Sequence, residues 1–571
     1  MFSMKVLSAA EMQACDRATA ERFGLPTFEL MRAAARAVAG VARARFPEAR
    51  RITVLCGRGN NGGDGMMAAR LLAEAGLDVT TILLGAAEKF AADAAVAWQE
   101  LLASAKPGAV KIAASEEDLP QLAACFEADL LVDAVLGTGF QPPLRGLALA
   151  AQKLIQKNIQ KNSQPKILAV DLPSGWVADS TAATAEHEVY PADAVVSFTA
   201  PKPAHLFGQL TRSWRDAVMI APIGSPEEAV ASEQKLFWTG SAAAMVRAPR
   251  PIAANKGNFG HVLVVGGSFG AMGAKAGAPA MAALAALRAG AGLVTAAVPA
   301  PAVNLVAQCA PELMLWPLEC AAQGGINEEN LAPGRLEPLV AGKTVLAVGP
   351  GMGQSDETAR FFSGLLHGAR MPAVIDADGL NLLAARPALL QELARERTLV
   401  LTPHPGEMAR LAGCTVAEVQ AGRLQMAREF ARRVGVTLVL KGARTVVAHP
   451  DGRVAVNTTG NPGMAKGGSG DVLCGLIAGL MAQFPREVGR AVEAAVYLHG
   501  LAADFAVERA GERSLLATDA LHHLGRAMAA DPEENPGQNP EQSIASCGQT
   551  RYVFLQGMAH CAVAHSASQS A

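Results

Sequence analysis

Short apolar runs that end in Gly or Asp alternate along the chain with Ala- and Leu-rich stretches of helical spacing. This alternation predicts parallel sheets covered by helices, because a parallel strand buried on both faces is apolar throughout. A first series of runs comprises ITVLCG (52–57), DLLVDAVLG (129–137), KILAVDLPSG (166–175) and DAVVSFTAPK (193–202). A second series comprises GHVLVVGGS (260–268), GLVTAAVP (292–299), TVLAVGPGMG (344–353), AVIDADGL (373–380), TLVLTPHPGE (398–407) and TLVLKGARTVV (437–447).

The two series predict two α/β domains. We expect an N-terminal domain over residues 1–228, a connector over 229–250, a C-terminal domain over 251–528 and a disordered tail over 529–571 that is rich in Pro, Asn, Gln and Ser. The length of 571 residues agrees with this division, because single cores stop growing at about 250–300 residues. The tail also carries the apolar stretch RYVFLQGMAHCAVA, which is either a partner-binding segment or, as we favour, an extension without a role.

Composition narrows the class of protein. Fifty basic and 52 acidic residues leave a net charge of −2, so we expect no nucleic-acid partner. Apolar stretches are interrupted well before the roughly 20 residues of a membrane span, and the N-terminus lacks a signal-peptide core. The nine cysteines are scattered singly, without metal-binding or disulfide-like spacing. We therefore expect a cytoplasmic enzyme that acts on small molecules and has no membrane partner.

A glycine-dense turn, GRGNNGGDG, follows the first apolar run and opens a helix. Glycines let backbone amides approach a phosphate at the positive end of a helix. The turn also contains Asn60, Asn61 and Asp64, which simple packing does not require. An ordinary dinucleotide site is disfavoured, because the second strand, LDVTTILLG, ends without an acidic residue. A purely structural turn is the alternative to a functional loop.

Acidic residues end two further strands of this domain, Asp133 and Asp171. Strand carboxyl ends gather at one edge of a doubly wound sheet, where ligands bind. Asn61, Asp133 and Ser174 could supply oxygen ligands for a cation, and Asp171 could move a proton. Capping of a helix or turn is the alternative for each acid taken alone.

The motifs GNNGGDG, DAVLGTGF, DLPSG and SFTAPK together resemble the YjeF N-terminal domain, the NAD(P)H-hydrate epimerase family, across residues 5–225. The resemblance implies a Rossmann-like three-layer domain that interconverts the R and S epimers of the hydrated cofactors NADHX and NADPHX. It implies substrate contacts at Asn60, Asn61, Gly62, Gly63, Asp64, Gly137, Thr138, Gly139, Phe140, Gln141, Pro142, Pro143 and Asp171. It further implies K⁺ at Asn61, Asp133 and Ser174, catalysis by Asp171, electrostatic support from Lys202, and a homo-oligomer.

The motif GGSGD of the second domain runs directly into an apolar helix. Gly468, Ser469 and Gly470 would present amides at the helix N-terminus to a phosphoryl group in transfer. Asp471 follows immediately and is placed to act as a general base. The alternative is an Asp that caps a glycine-rich turn.

This element resembles the anion hole of ribokinase-like kinases. With VGPGMG, DADGLNLL, LTPHPGEMARL and LKGARTVVA, residues 251–528 resemble the ADP-dependent NAD(P)H-hydrate dehydratase family. The resemblance implies a ribokinase-like α/β domain that dehydrates the S hydrate with ADP, giving NAD(P)H, AMP and phosphate. It implies nucleotide contacts at Lys441, Gly442, Ala443, Arg444, Thr445 and Gly470, and hydrate contacts at Ala278, Gly353, His404 and Asp471. Mg²⁺ is expected with the nucleotide, and Asp376 and Asp378 are its candidate ligands.

Several alternatives stay open at this point. The stretch FGAMGAKA is longer than the family pattern, so Ala274 or Gly273 could take the place of Ala278. His404 could be a packed or solvated residue rather than a substrate contact. The C-terminal domain could be a kinase of a small vitamin-precursor alcohol, and the N-terminal domain a non-catalytic binding module. We favour one enzyme that repairs both epimers.

Overall fold

The computed structural model describes residues 4–88, 90, 92–160, 165–270, 273–321, 324–534 and 552–556. Their contacts divide them into two units. The first unit contains Met4–Gln234 and the described residues of Asp531–Ala571, and the second contains Lys235–Ala530. A sheet made largely of parallel strands, with helices packed on it, forms the core of each unit. The predicted α/β class is confirmed.

The first unit is built on seven parallel strands in the order β7-β6-β5-β4-β1-β2-β3. The strands are β1 (Arg51–Cys56), β2 (Asp78–Leu84), β3 (Val110–Ala113), β4 (Leu130–Ala134), β5 (Lys166–Val170), β6 (Ala194–Phe198) and β7 (Ala217–Ala221). The helices are α1 (Ala9–Phe23), α2 (Thr27–Arg45), α3 (Asn60–Glu74), α4 (Ala92–Ser104), α5 (Gly146–Gln160) and α6 (Pro203–Phe207), with 3₁₀ helices at Glu116–Glu127 and Glu227–Ala229. The chain leaves β1 on one side towards β2 and β3 and then returns to β4 on the other, which creates a topological switch point between β1 and β4.

Packing explains why these segments take their places. Four of the five residues of β5 and all five of β6 are buried, as expected for strands covered on both faces. Helix α3 lies close to the sheet at Gly65, where an added Cβ would lie 2.4 Å from the Cβ of Ala134 in β4. The glycine therefore permits the close helix–strand contact that a dinucleotide-type turn requires.

The second unit has a ten-stranded sheet in the order β13-β12-β9-β14-β15-β16-β17-β18-β19-β8, and a separate hairpin of β10 and β11. The strands are β8 (Leu236–Trp238), β9 (His261–Val265), β10 (Phe269–Gly270), β11 (Gly273–Ala274), β12 (Leu293–Pro299), β13 (Met314–Leu318), β14 (Val345–Val348), β15 (Ala373–Ile375), β16 (Leu399–Leu401), β17 (Thr437–Leu440), β18 (Val446–Ala448) and β19 (Val454–Val456). In this sheet order, the seven strands β13, β12, β9, β14, β15, β16 and β17 run parallel to one another. Strand β18 is antiparallel to both of its neighbours.

Helices of the second unit include the nearly fully buried α16, which packs closely on α7. The helices are α7 (Gly277–Ala289), α8 (Val303–Ala307), α9 (Leu336–Val340), α10 (Asp356–Gly368), α11 (Asp378–Ala384), α12 (Pro387–Glu396), α13 (Pro405–Ala412), α14 (Val416–Ala421), α15 (Arg423–Val434), α16 (Ser469–Gln483), α17 (Val488–Ser514, kinked at Gly511) and α18 (Ala517–Ala529). The 3₁₀ helices are Thr239–Val246, Lys256–Phe259, Ala300–Ala302, Glu328–Leu331 and Pro462–Met464.

Three expectations from the sequence need correction. The connector predicted over 229–250 is instead partly built into the second unit, since β8 pairs with β19 and the following 3₁₀ helix packs on α17. The run 437–447 is not one strand. It forms β17 and β18 with a turn between them, because Gly442 and Arg444 take positive φ angles of 139° and 57°.

The predicted disordered tail is also revised where the structure describes it. Strands β20 (Glu533–Glu534) and β21 (Tyr552–Gln556) join the sheet of the first unit, with β21 antiparallel to β7. The side chains of β21 are all buried, which is the physical reason for their order. Residues 535–551 and 557–571, with Cys547 and Cys561, lie outside the described residues.

No helix within the described ranges combines the length and the apolar character needed to cross a membrane.

Candidate active sites

The first candidate site lies at the carboxyl ends of β1, β4, β5 and β6, beside the switch point. The predicted loop Asn60–Asp64 is in fact the first turn of α3, and Gly59 precedes it as the N-cap. The turn is tight, because a Cβ on Gly62 would lie 1.9 Å from the carbonyl oxygen of Gly57. The amides of this first helical turn therefore face the same edge of the sheet as the strand ends.

Asp171, directly after β5, is held in this site by three hydrogen bonds. Its Oδ1 accepts hydrogen bonds from Lys202 Nζ at 2.9 Å and from Ser197 Oγ at 2.7 Å. Its Oδ2 accepts from the backbone N–H of Thr138 at 3.2 Å. The residue has a φ of 64°, a rare conformation for a side chain other than glycine, of the kind that clusters at functional sites.

The charge on Asp171 is stabilised by its neighbours. Burial favours the neutral acid, but Lys202, then His205 and the hydrogen bonds outweigh it and lower the pKa of Asp171. Burial and the charge of Lys202 lower the pKa of His205 to about 4, so its ring is neutral near pH 7. The His205 Nε2 lies 2.7 Å from the Asp171 carbonyl oxygen. Asp171 is thus an ionised acceptor at a fixed position.

Asp133 and Ser174 form a second buried pair. Ser174 donates to Asp133 from its backbone N at 2.8 Å and from its Oγ at 2.6 Å. Burial raises the pKa of Asp133 to about 6, although the hydrogen bonds from Ser174 and Val135 oppose this. The backbone N–H of Leu136 donates to Ser174 Oγ at 2.9 Å, so this pair also orders the loop after β4.

Asn61 fits the role of a cation ligand. Its Oδ1 and Nδ2 are both buried and have no hydrogen-bond partner among the described residues. It adjoins the loop after β4, since a Cβ on Gly137 would lie 3.2 Å from Asn61 Cγ and 3.2 Å from Asp171 Oδ2. A buried amide oxygen without a partner, together with Asp133 and Ser174, is a donor set suited to a hard cation.

The predicted substrate segment Gly137–Pro143 divides into two parts. Gly137 and Thr138 face Asn61 and Asp171, whereas the Phe140 side chain belongs to the hydrophobic core and lies on the ring of His187, with 5.8 Å between centroids. Gly139 and the residues from Gln141 to Pro143 are exposed. The side chain of Phe140 is therefore committed to packing.

Asp16 in α1 is an acid of this region that no sequence motif indicated. Its Oδ1 is buried without a hydrogen-bond partner among the described residues, and burial raises its pKa to about 6 against the opposing charge of Lys202. Burial, then Asp171 and Asp16, raise the pKa of Asp64 well above its ordinary value. The available signal was an acid at helical spacing between the buried Met12 and Thr19.

The second candidate site lies at the carboxyl ends of β14 to β17. Lys441, directly after β17, donates to Asp376 Oδ1 at 2.7 Å, and Thr402 Oγ1 donates to the same atom at 2.7 Å. Asp376 follows β15 and is 1% exposed. Burial disfavours the charge of Lys441, but Asp376 and then Glu407 outweigh it and raise the pKa of Lys441. Lys441 is thus a fixed cation in a largely buried site.

Glu407 was also missed by sequence analysis, although it stands three residues after His404, as in a capping box. Its Oε2 accepts from the His404 backbone N–H at 2.8 Å and lies 3.9 Å from Lys441 Nζ. The His404 Nδ1 accepts from Gly406 N at 3.0 Å, and its pKa is lowered by burial and by Lys441. The neutral ring therefore caps α13 through Nδ1, and its Nε2 lies 3.4 Å from Glu407 Oε1.

The GGSGD motif forms the N-terminus of α16. Gly468 is the N-cap with a φ of 96°, and Ser469 Oγ donates to the Met464 carbonyl at 2.8 Å. A Cβ on Gly470 would lie 3.3 Å from Lys441 Nζ and 3.8 Å from Asp376 Oδ2. The N-terminus of α16, Lys441 and Asp376 therefore lie close together. Burial and the nearby Asp376 raise the pKa of Asp471 to about 6.

Of the residues predicted to hold the hydrate, Gly353 contacts Asp378. Asp378 Oδ2 accepts from the Gly353 backbone N–H at 3.0 Å and lies 3.7 Å from Lys275 Nζ. Ala278, in the first turn of α7, lies 3.3 Å from the position of a Cβ on Gly351. The alternatives Gly273 and Ala274 belong to the β10–β11 hairpin.

The predicted nucleotide segment 441–445 is a turn between β17 and β18. Arg423 donates to the carbonyls of Leu440 and Lys441 at 3.2 and 3.3 Å. The side chain of Arg444 donates to the Thr458 carbonyl at 2.8 Å and thus ties this turn to the segment before GNPG. Gly442 and Ala443 are exposed and leave their backbone available to a ligand.

The residues present do not form a dedicated magnesium cage. The described residues contain no group of three or more His, Cys, Asp or Glu side chains that could hold a metal ion. Asp376 and Asp378, the predicted candidates, already engage Lys441 and Lys275. Mg²⁺ fits this site only as an ion carried mainly by nucleotide phosphates.

The architecture and the two sites define a two-domain enzyme with a Rossmann-like part and a ribokinase-like part. A family model described as YjeF-related protein N-terminus matches residues 27–204, and one described as NAD(P)H-hydrate dehydratase matches residues 262–526. The chain belongs to the bifunctional NAD(P)H-hydrate repair enzymes. The predicted family and the repair of hydrated NAD(P)H are therefore confirmed.

Two repair enzymes match this chain over nearly its whole length. The bifunctional NAD(P)H-hydrate repair enzyme of Moorella thermoacetica is 39% identical over 93% of this chain and 98% of its own. That of Escherichia coli is 35% identical over 94% of this chain and 96% of its own. A solved ADP/ATP-dependent NAD(P)H-hydrate dehydratase from Bacillus subtilis, co-crystallised with ATP and Mg²⁺, is 31% identical, covers 50% of this chain and 95% of its own, and has a TM-score of 0.41.

Proposed function

We propose that the first unit interconverts the R and S hydrates of NADH and NADPH, and that the second dehydrates the S form with ADP as the phosphoryl donor, giving AMP and phosphate. The paired geometry of Asp171 with Lys202 and of Asp471 with Lys441 and Asp376 carries the proposal. Each site contains an acid beside a fixed cation at the carboxyl edge of a parallel sheet. A homo-oligomer and a cytoplasmic location stay predictions.

Epimerisation requires the C6 hydroxyl of the hydrate to leave one face and return to the other. The lone pair of the ring nitrogen expels this hydroxyl as water once solvent has protonated its oxygen, and a water that re-adds on the other face loses a proton. Asp171, ionised and held by Lys202, Ser197 and Thr138, is placed to accept that proton. Asn60 and Gly137 border the space next to it.

Asn61, Asp133 and Ser174 would hold K⁺ in this unit. The ion, when bound, would supply a fixed positive charge to this site. Within the chain itself, Asp133 and Ser174 fix the loop after β4, and the partner-free Asn61 completes the donor set. These residues therefore serve to order the substrate loop.

Dehydration requires a better leaving group than hydroxide. In the second unit the C6 hydroxyl attacks the terminal phosphorus of ADP, its proton passes to Asp471, and the bond from phosphorus to the AMP oxygen breaks. The C6–O bond of the phosphate ester then breaks with the help of the ring nitrogen lone pair. Loss of a C5 proton to the departing phosphate restores the C5=C6 double bond. The amides of Gly468–Gly470 and the charge of Lys441 stabilise the phosphoryl group in transfer.

Mg²⁺ bound to the nucleotide would neutralise part of the phosphate charge. The chain's contribution is to position the nucleotide through residues 441–445 and Gly470, and to hold Lys441 with Asp376 and Glu407. The proposed hydrate contacts Ala278, Gly353 and His404 border the same edge of the sheet.

The test is recovery of reduced nicotinamide absorbance from a mixture of R and S NADHX with ADP, Mg²⁺ and K⁺. The unsubstituted chain should convert both epimers. Asp171→Asn should stop at the S fraction, and Asp471→Asn should convert neither while still exchanging the epimers, as seen by chromatography. Conversion of an S-only sample by Asp471→Asn at the normal rate would refute the role of Asp471. Arg45→Gln, at a half-buried position in the last turn of α2, controls for differences in activity between protein preparations.

A further inference from the structure

The strand β21 belongs to neither of the two matched family regions, which span residues 27–204 and 262–526. It nevertheless occupies a definite place in the sheet of the first unit. Val553 pairs with Ile220 of β7 and Phe554 with Met219, in antiparallel register, and the register shifts by one residue before Gln556 pairs with Val218. The chain thus adds a strand from its far end to a sheet formed by its first part.

Strand β7 needs such a partner. Without β21 it would be an edge strand, since its other side already pairs with β6. Its sequence AVMIA has no charge and no proline, and all five residues are buried. Exposed apolar edges invite pairing with other chains, and proteins usually protect them with lysine, proline or a covering segment. The opposite edge, β3, carries such a residue in Lys111.

The side chains of β21 fit a specific seat. Tyr552 Oη donates to the carbonyl oxygen of Ala37 in α2 at 3.2 Å. A Cβ on Gly40 would lie 2.9 Å from the same Oη, and this Oη is the single contact found there among described residues outside α2 itself. Phe554 and Leu555 are each 1% exposed. The Gly40 position is therefore shaped around the Tyr552 hydroxyl.

We propose that Tyr552–Gln556 is a docking segment that closes the β7 edge of the first unit within the same chain. The first unit is then complete only when the C-terminal segment has docked, whereas the second unit contains no part of that segment. The strand that pairs with β7 is therefore β21 of the same chain. The alternative is that β21 of a second copy pairs with β7.

The first test compares the full chain with a chain that ends at Glu534, by hydrogen exchange and mass spectrometry. Amides of β7 should exchange about tenfold faster or more in the shortened chain, because they lose a strand partner. Amides of β14 in the second unit should keep their protection. Equal protection of β7 in both chains would overturn the proposal.

The second test uses full-length chains only, so it does not depend on the shortened chain folding. Gly40→Ala should lower the melting temperature of the first unit, because the added methyl meets Tyr552 Oη. In the Tyr552→Phe chain the same change should raise it, since alanine favours a helix over glycine and the clash is gone. A shift of equal sign and size in both chains would contradict docking of Tyr552 against α2.

Light scattering separates the two sources of the strand. With docking inside one chain, the full chain and the chain ending at Glu534 share the same oligomeric state, or the shortened chain self-associates through its open edge. If the full chain is a dimer that truncation converts to monomers, while β7 loses protection, the strand comes from the second copy. That result would overturn docking within one chain.

Discussion

Replacing Lys202 with methionine tests whether the charge of Asp171 depends on a single buried cation. Lys202→Met keeps the apolar stem and removes the ammonium, which donates to Asp171 Oδ1 at 2.9 Å, Ser197 Oγ at 2.8 Å and the Phe198 carbonyl at 3.4 Å. The Lys202 side chain is 2% exposed and that of Asp171 10% exposed. Water therefore has little access to replace the lost partner.

The expected cost is large. Removing one partner of a buried ion pair typically destabilises a protein by about 3–5 kcal/mol, since the other charge stays buried alone. Asp171 can limit this cost by taking up a proton, at about 1.4 kcal/mol for each pH unit between the solution pH and its raised pKa. At neutral pH we expect Lys202→Met to lower the free energy of unfolding by several kcal/mol and to abolish epimerisation.

The pH dependence has opposite signs in the two proteins. In the unsubstituted chain the pKa of Asp171 is lowered, so its contribution is present above its ordinary pKa of about 3.9 and is lost as pH falls through the folded value. In Lys202→Met we expect burial without the ammonium to raise the pKa of Asp171, so the loss of stability should be greatest near neutrality and shrink on acidification. The stability gap between the proteins should therefore narrow as the pH falls.

Urea unfolding, followed by hydrogen exchange in peptides of the first unit, measures this gap at several pH values. The double variant Lys202→Met with Asp171→Asn is the matched control and should recover much of the lost stability, because no unpaired charge remains. A Lys202→Met protein within about 1 kcal/mol of the unsubstituted chain at neutral pH would show that the charge of Asp171 does not depend on Lys202. So would a loss that stays constant as the pH falls.

Three further predictions concern both sites. The kcat/KM of dehydration should decrease below a pH of about 6, because the base Asp471 must be ionised. Burial and Asp376 raise the pKa of Asp471 to about 6. A pH–rate profile without a decrease in this range would contradict this role. Gly470→Ala should raise the KM for ADP more than the KM for the hydrate, because the added methyl group would lie 3.3 Å from Lys441 Nζ. Steady-state kinetics in which each substrate is varied in turn would measure both values. Asn61→Leu should remove any K⁺ stimulation of epimer exchange, compared with rates in a large organic cation.

The pattern of the sequence alone predicted much of the fold. Runs such as KILAVDLPSG and AVIDADGL are strands β5 and β15 followed by site acids, because a parallel strand buried on both faces must be apolar and short. Because each apolar run marks a strand, an acid directly after the run could be placed at the end of that strand. The glycine-rich segments were correctly associated with helix starts, although Asn60–Asp64 lies within α3 rather than in a loop.

Only the tertiary structure decided which side chains meet. Lys202 reaches Asp171, and Glu407 approaches Lys441, because separate strands end at one edge of a sheet, a relation that spacing along the chain does not contain. Asp16 enters the first site from a helix without any motif. The place of Tyr552–Gln556 likewise depends on an apolar edge left open more than 300 residues earlier, at β7. Local pattern determines elements, whereas burial and pairing between distant segments determine the sites.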